Sequence, residues 1–153
     1  MHEIQGRSSD RDLWLRPDTD SLGVRRSDTD EIELEALIAV GALGAEAIRF
    51  RVAQPGRDGD LIWTCGSYIK VASARFIEAL ERIGATGYVT FPLAFDEPGL
   101  AHRYVGLAVQ GGAGVDLRPV HADGPFWSFL VSERVMRALR DAQVDGFEEV
   151  RET

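Results

Sequence analysis

Histidine and cysteine side chains are the first places to look for chemistry in this sequence. The histidines are His2, His102 and His121, and the single cysteine is Cys65. None of them stands at the spacing that brings zinc ligands together, and one cysteine excludes both an internal disulfide and a multi-cysteine zinc site. The sequence therefore predicts no metal and no cofactor, and we expect Cys65 to be a structural thiol.

Two of the histidines could still meet in space. His102 and His121 are predicted in loops on either side of a hairpin over 104–117, where Asp116 could join them in a metal or acid–base site. Such a site would belong to a small enzyme or ligand-binding domain that uses the 92–125 loops. Surface histidines are the plainer interpretation, because loops lie on the protein surface.

Common catalytic motifs are missing from the sequence. There is no Gly-x-Ser-x-Gly elbow, the usual signature of serine hydrolases. The glycine cluster at 111–114 could cradle a phosphate, but no Lys-Ser/Thr follows it and predicted strands lie on both sides. We expect a hairpin turn there, and the sequence as a whole predicts that the protein is not an enzyme.

The chain carries a strong negative charge. Its 153 residues include 17 basic and 25 acidic side chains, for a net charge of −8. This charge disfavours nucleic acid and anionic membranes as partners and favours a basic protein, although solubility alone would also explain it. No apolar run reaches the ~18 residues of a membrane helix and no signal peptide is evident, so we expect a soluble, cytoplasmic protein.

The acidic residues are densest in one segment, which we call the acidic strip: Asp28, Asp30, Glu31, Glu33 and Glu35. Asp30 and Glu33 resemble a helix cap, and the apolar spacing after them predicts a helix over roughly 31–40, although the alternation of Ile32 and Leu34 with glutamates would also suit a strand. A dense run of carboxylates can face a basic partner, where charge complementarity speeds encounter and rejects wrong partners. We predict that the acidic strip binds the partner.

Two segments share one pattern at an offset of 59 residues. Residues 71–91 read VASARFIEALERIGATGYVTF, and residues 130–150 read LVSERVMRALRDAQVDGFEEV. Five positions are identical between them: Ser73/Ser132, Arg75/Arg134, Ala79/Ala138, Leu80/Leu139 and Gly87/Gly146. Each copy predicts an N-cap serine, a three-turn amphipathic helix, a glycine turn and a strand. Duplication and convergence would both explain the similarity.

Shorter patterns predict the remaining strands. Alternation over 48–52 predicts a strand that forms a hairpin with 61–63, and Leu13-Trp14-Leu15 is short enough for an edge strand. Further strands are predicted over 104–109 and 115–117, where Pro119 favours an edge, and over 127–131.

These elements together predict an α+β fold. We expect a mixed, mainly antiparallel sheet of six to nine short strands, packed with about three short helices that include the two similar helix–strand units. No linker-like shift in composition divides the chain, so residues 1–153 are predicted to form one domain. Residues 1–9 have little to bury and are predicted to fray.

The apolar strand, Val-Ser-Glu-Arg, helix, glycine and final strand over 129–150 resemble the closing signature of a family of bacterial immunity-type proteins. These small proteins are encoded beside polymorphic or contact-delivered toxins. A wider resemblance covers about 61–150 and includes the earlier strand–serine–helix unit. It implies a binding protein that blocks the surface of a cognate toxin, with no catalytic residues. Some relatives carry paired Cys-x-x-Cys zinc motifs, but Cys65 stands alone and no zinc is carried over.

Three functions follow from these observations. The first is an immunity-like protein that neutralises a cognate toxin, and its negative charge would best match a basic toxin. The second is the small enzyme or ligand-binding domain of the 92–125 loops. The third is an acidic inhibitor that imitates the charge of nucleic acid. The resemblance, the charge and the missing catalytic motifs favour the first, and the sequence leaves the oligomeric state open.

Overall fold

The computed structural model of the chain describes residues 1–18, 49–64, 70–92, 94–95, 103–110, 112–121 and 124–150. The helices in these ranges are α1 (Ala74–Arg82) and α2 (Glu133–Asp141). The strands are β1 (His2–Gly6), β2 (Trp14–Asp18), β3 (Arg49–Gln54), β4 (Leu61–Ile62), β5 (Lys70–Ser73), β6 (Tyr88–Pro92), β7 (Ala94–Phe95), β8 (Tyr104–Val109), β9 (Leu117–His121), β10 (Gly124–Val131) and β11 (Phe147–Glu149). The predicted α+β fold with mainly antiparallel sheets is confirmed. The predicted helix over 31–40 lies outside the described residues.

Two four-stranded antiparallel sheets form the main part of the fold. Sheet I has the order β4-β5-β8-β6, and sheet II has the order β11-β1-β10-β9. We call β4, β5, α1 and β6 the first unit, and β9, β10, α2 and β11 the second unit. Each sheet contains the three strands of one unit and a fourth strand from elsewhere in the chain. The fourth strand of sheet I is β8, which precedes the second unit, and that of sheet II is β1, which precedes the first unit. The two units are therefore interlocked by these exchanged strands.

The strand registers of the two sheets coincide. Leu107 of the exchanged strand β8 lies opposite Lys70 of β5. Ile4 of the exchanged strand β1 lies opposite Phe129 of β10, which is 59 positions after Lys70. The same offset relates the partners of Leu107 and Ile4 on β6 and β11. The similarity of the two sequence segments thus extends to the whole architecture of each sheet.

Serine caps start both helices, as predicted. Ser73 Oγ accepts a hydrogen bond from the N–H of Phe76 at 3.0 Å, and Ser132 Oγ accepts one from the N–H of Val135 at 3.3 Å. The helices pack against each other, and their apolar faces join both sheets in one hydrophobic core. The buried helix residues are Phe76, Ile77, Ala79, Leu80, Val135, Met136 and Leu139. In the described part of the chain, no helix is long and apolar enough to cross a membrane.

The third sheet corrects the predicted hairpin between the strand over 48–52 and the strand over 61–63. Here β3 pairs with β2 and β7, whereas β4 pairs with β5. The physical reason is that an N-terminal segment lies alongside this part of the chain in space. The N–H of Leu13 donates to the carbonyl of Arg57 at 2.9 Å. Strand β2 lies at an edge of this sheet, as predicted for Leu13-Trp14-Leu15.

The predicted hairpin over 104–117 is also wrong. Strand β8 forms where predicted but pairs with β5 and β6, and β9 pairs with β10. The exchange of β8 into the first unit's sheet is the physical reason. His121 is consequently the last residue of an edge strand rather than part of a loop, while His102 lies outside the described residues. The predicted edge position at Pro119 is confirmed.

The prediction that residues 1–9 fray is wrong for residues 2–6. These residues form β1, which is hydrogen-bonded between β10 and β11. Ile4 is fully buried in the shared core, so the segment buries more than its short sequence suggests.

Candidate functional site

A buried carboxylate stands directly before β4. Asp60 is completely inaccessible to solvent and accepts a hydrogen bond from Ser73 Oγ at 2.6 Å. Arg75 donates to the same carboxylate through Nε at 3.1 Å and through Nη2. The N–H of Asp145 donates to Asp60 Oδ2 at 2.8 Å. We call these four residues the Asp60 cluster.

The second unit repeats this arrangement before β9. Asp116 accepts from Ser132 Oγ at 2.7 Å and from Nε and Nη2 of Arg134, each at 2.8 Å. The N–H of Thr86 donates to Asp116 Oδ2 at 3.1 Å. We call these four residues the Asp116 cluster. Aspartate, cap serine and arginine therefore have the same roles in both units.

Each cluster is completed by the backbone of the other unit. Asp60 belongs to the loop before the first unit and binds Asp145 in the turn between α2 and β11, also through its own N–H, which donates to the Asp145 carbonyl at 2.9 Å. Asp116 binds Thr86 in the turn between α1 and β6 in the same way, with its N–H donating to the Thr86 carbonyl at 3.2 Å. Each unit therefore contributes backbone groups to the other unit's cluster, and the two clusters join the units at two equivalent places.

The two clusters differ in their outer contacts. Arg134 also reaches the end of α1, donating through Nη1 to the carbonyl of Ile83 at 2.9 Å and through Nη2 to that of Gly84 at 3.2 Å. Beside the Asp60 cluster, the hydroxyl of Tyr104 donates to the carbonyl of Gly59 at 2.8 Å. The second cluster is therefore anchored to a helix end and the first to an exchanged strand.

Hydrogen bonding keeps both carboxylates ionised. Arg134, Ser132 and the backbone of Thr86 hold the pKa of Asp116 far below its ordinary value, against a smaller effect of burial. Burial alone would raise the pKa of Asp60, but the donors around it together lower that pKa below its ordinary value. Burial raises the pKa of Tyr104, so this hydroxyl stays protonated as a donor.

The arrangement of these two carboxylates suits a structural role better than a catalytic one. A general base needs a lone pair directed at substrate and a pKa near the working pH, whereas these carboxylates are ionised and occupied by internal donors. Asp116, predicted as a partner of His102 and His121, is a member of such a cluster. In the described ranges, no group of three or more His, Cys, Asp and Glu side chains could hold a metal ion.

The acidic strip, predicted to bind a partner, lies outside the described residues: Asp28, Asp30, Glu31, Glu33 and Glu35. Cys65 lies outside them too. Asp60 was not predicted as part of any site, and the shared serine and arginine of the two segments were predicted only as an N-cap and as an identical position. The sequence signal is an Asp-Leu pair at the start of each unit, Asp60-Leu61 and Asp116-Leu117, in which the leucine begins the strand. Its spacing of 56 rather than 59 residues hides it from a comparison at one fixed offset.

Comparison of the chain with protein-family models, curated proteins and solved structures found no match.

Proposed function

We propose that this chain is an immunity-type binding protein that neutralises a cognate toxin by covering the toxin's active or substrate-binding surface. The observation that carries the proposal is the pair of interlocking clusters, in which Asp60 and Asp116 are used to join the two units. A scaffold tied at two places presents its outer surface in one arrangement, which reduces the entropy lost when a partner binds.

The charge of the chain supports a basic partner. The net charge of −8 attracts a cationic protein such as a nuclease-type toxin and repels phosphate backbones and anionic lipid. Within the proposal, the acidic strip supplies the contact, an assignment that rests on its sequence alone. The protein would act in the cytoplasm, without a cofactor and without catalysis of its own.

Both buried carboxylates are already hydrogen-bonded to donors within the protein, which supports a binding function over catalysis. Asp116 would be the acid–base group of an enzyme built on the 92–125 loops, but Ser132, Arg134 and Thr86 already occupy it. Its low pKa also removes the proton that a general acid would deliver.

The first experiment expresses the chain together with each toxin domain encoded next to its gene. The proposal predicts that one toxin loses its toxicity to the host and that the purified pair forms a stable complex. A failure to rescue growth with every adjacent toxin domain would contradict the proposal.

A charge-matched comparison then tests the acidic strip. One variant replaces the five strip carboxylates by Asn and Gln. The control replaces five exposed carboxylates elsewhere, so that net charge changes equally: Asp10, Glu78, Glu81, Asp141 and Glu148. The strip variant should slow association at low salt by about tenfold or more and flatten its salt dependence, and the control much less. Equal slowing by both variants would mean that net charge acts and that the strip is not the contact.

A further inference from the structure

His2 lies between two carboxylates. Its Nδ1 is 2.5 Å from Glu149 Oε1, and its Nε2 is 2.5 Å from Glu133 Oε2. The three side chains come from three elements: His2 from β1, Glu149 from β11, and Glu133 from the first residue of α2. One imidazole therefore joins the exchanged strand to both the helix and the edge strand of the second unit.

With both glutamates ionised, this geometry suits a charged imidazole. A neutral imidazole carries a single N–H, so one of its nitrogens would direct a lone pair at a carboxylate oxygen. Only the imidazolium donates from both nitrogens. The same contacts raise the pKa of His2, with the hydrogen bond to Glu133 as the largest cause and that to Glu149 next, while burial opposes them.

Among the described residues, Glu133 and Glu149 are the charged groups that shift the pKa of His2. On β10, Val131 lies opposite His2. Arg137 and Arg140 of α2 lower the pKa of Glu133 but follow His2 in the size of that effect. The two glutamates thus dominate the protonation of His2.

Sheet I has the same strand register without such a group. The strand registers and the offset of 59 make Val105 the equivalent of His2, Ala74 that of Glu133, and Thr90 that of Glu149. None of these three side chains titrates, yet β8 occupies sheet I in the same register as β1 in sheet II. The ionic contact is therefore present in only one of two otherwise similar described sheets.

We propose that His2, Glu133 and Glu149 form a pH-sensitive clamp that fastens the exchanged strand β1 into sheet II. Because the folded state holds the His2 proton more tightly than the unfolded chain, the clamp stabilises the protein fully below the ordinary histidine value of about 6.5. Its contribution disappears as the pH rises through the raised pKa of folded His2. Loosening β1 would uncover the facing edges of β10 and β11 and the buried side chain of Ile4.

Thermal unfolding and hydrogen exchange of the full chain test the clamp. His2→Gln removes the titrating group, and Glu148→Gln is the matched control, because Glu148 accepts from Gln5 on the same strand pair at 2.7 Å without contacting His2. The Tm advantage of the wild type over His2→Gln should shrink between about pH 6 and pH 9. Intrinsic-rate-corrected exchange of residues 1–6 should rise severalfold over that range in the wild type and in Glu148→Gln, but not in His2→Gln. Identical pH profiles in all three proteins would overturn the clamp.

A second measurement does not depend on any variant. An NMR titration of the wild-type His2 ring should give a pKa above the ordinary histidine value, and Glu133→Gln with Glu149→Gln should return that pKa toward it. A wild-type pKa at or below about 6.5 would overturn the proposal whatever the variants do.

Discussion

Arg134 binds Asp116 through two parallel hydrogen bonds, donated from Nε to Oδ1 and from Nη2 to Oδ2, both 2.8 Å long. Its Nη1 continues to the carbonyl of Ile83 at the end of α1. One side chain of the second unit therefore neutralises a carboxylate of its own unit and ties down the helix end of the other. Only a planar guanidinium with donors on several sides can do both.

Arg134→Lys should consequently destabilise the protein although the charge is kept. A lysine ammonium cannot reproduce the fork on Asp116 and the bond to Ile83 together. Arg137→Lys is the matched control, because Arg137 is exposed on the same helix and its substitution leaves the Asp116 cluster intact. Urea unfolding should give a clearly lower midpoint for Arg134→Lys and a nearly unchanged one for Arg137→Lys. Equal midpoints would mean that the cluster does not depend on the guanidinium geometry.

The two cap serines should differ in their effect on stability. Each accepts a helix N–H, and replacing such a cap by alanine costs about 1 kcal/mol. Ser73 also donates to Asp60, which is fully buried, whereas Asp116 retains slight exposure. Losing a donor to a fully buried carboxylate adds about 1 kcal/mol or more. We expect Ser73→Ala to lower the free energy of unfolding by about 2–3 kcal/mol and Ser132→Ala by less.

Urea titrations of the two alanine variants measure this difference directly, with Ser8→Ala as a control in a segment that starts no helix. A larger loss for Ser132→Ala than for Ser73→Ala would contradict the view that the complete burial of Asp60 decides the cost.

Local sequence signals predicted the parts of this fold that depend on neighbouring residues. Ser73 and Ser132 cap helices through bonds to residues three positions on, and the apolar spacing of each helix sets its buried face. Strand pairing is different, because it depends on which chain segment arrives beside a strand. A pattern over 104–109 predicts a strand but carries no sign that the strand enters the sheet of the preceding unit.

The clusters could be predicted only in part, for the same reason. The shared serine and arginine were visible at one offset, but Asp60 completes its bonds with the backbone of Asp145, 85 residues away in the chain. No spacing rule within one unit links those positions.

Gly146 should tolerate no side chain. Its φ is 79°, and an added Cβ would overlap the Cα of Gly59 and lie 2.8 Å from the N of Asp60. Gly84 is the matched control: its φ is 63°, and no atom lies within 4 Å of an added Cβ. Gln143, its equivalent after α2, keeps a side chain at a φ of 55°.

We therefore expect Gly146→Ala to lower the free energy of unfolding by about 3 kcal/mol or more, from backbone strain and steric overlap together. Gly84→Ala should cost about 1 kcal/mol, from strain alone. Chemical denaturation of both variants gives the two values. A Gly146→Ala protein as stable as Gly84→Ala would show that the approach of the two loops is not close.

Acid should weaken the protein through its two clusters. The folded pKa of Asp116 is depressed, chiefly by Arg134, so the carboxylate stabilises the fold above the ordinary aspartate value of about 3.9. That contribution is lost as the pH falls through the folded pKa, because the unfolded chain takes up the proton first. Asp116→Asn removes the titration, so its free energy of unfolding should be lower than that of the wild type at pH 7, and the difference should shrink below about pH 4.

Asp141→Asn, on the exposed face of α2, should keep the wild-type pH profile. Urea unfolding between pH 2 and pH 7 measures all three curves, and an Asp116→Asn curve parallel to the wild type would contradict the depressed pKa.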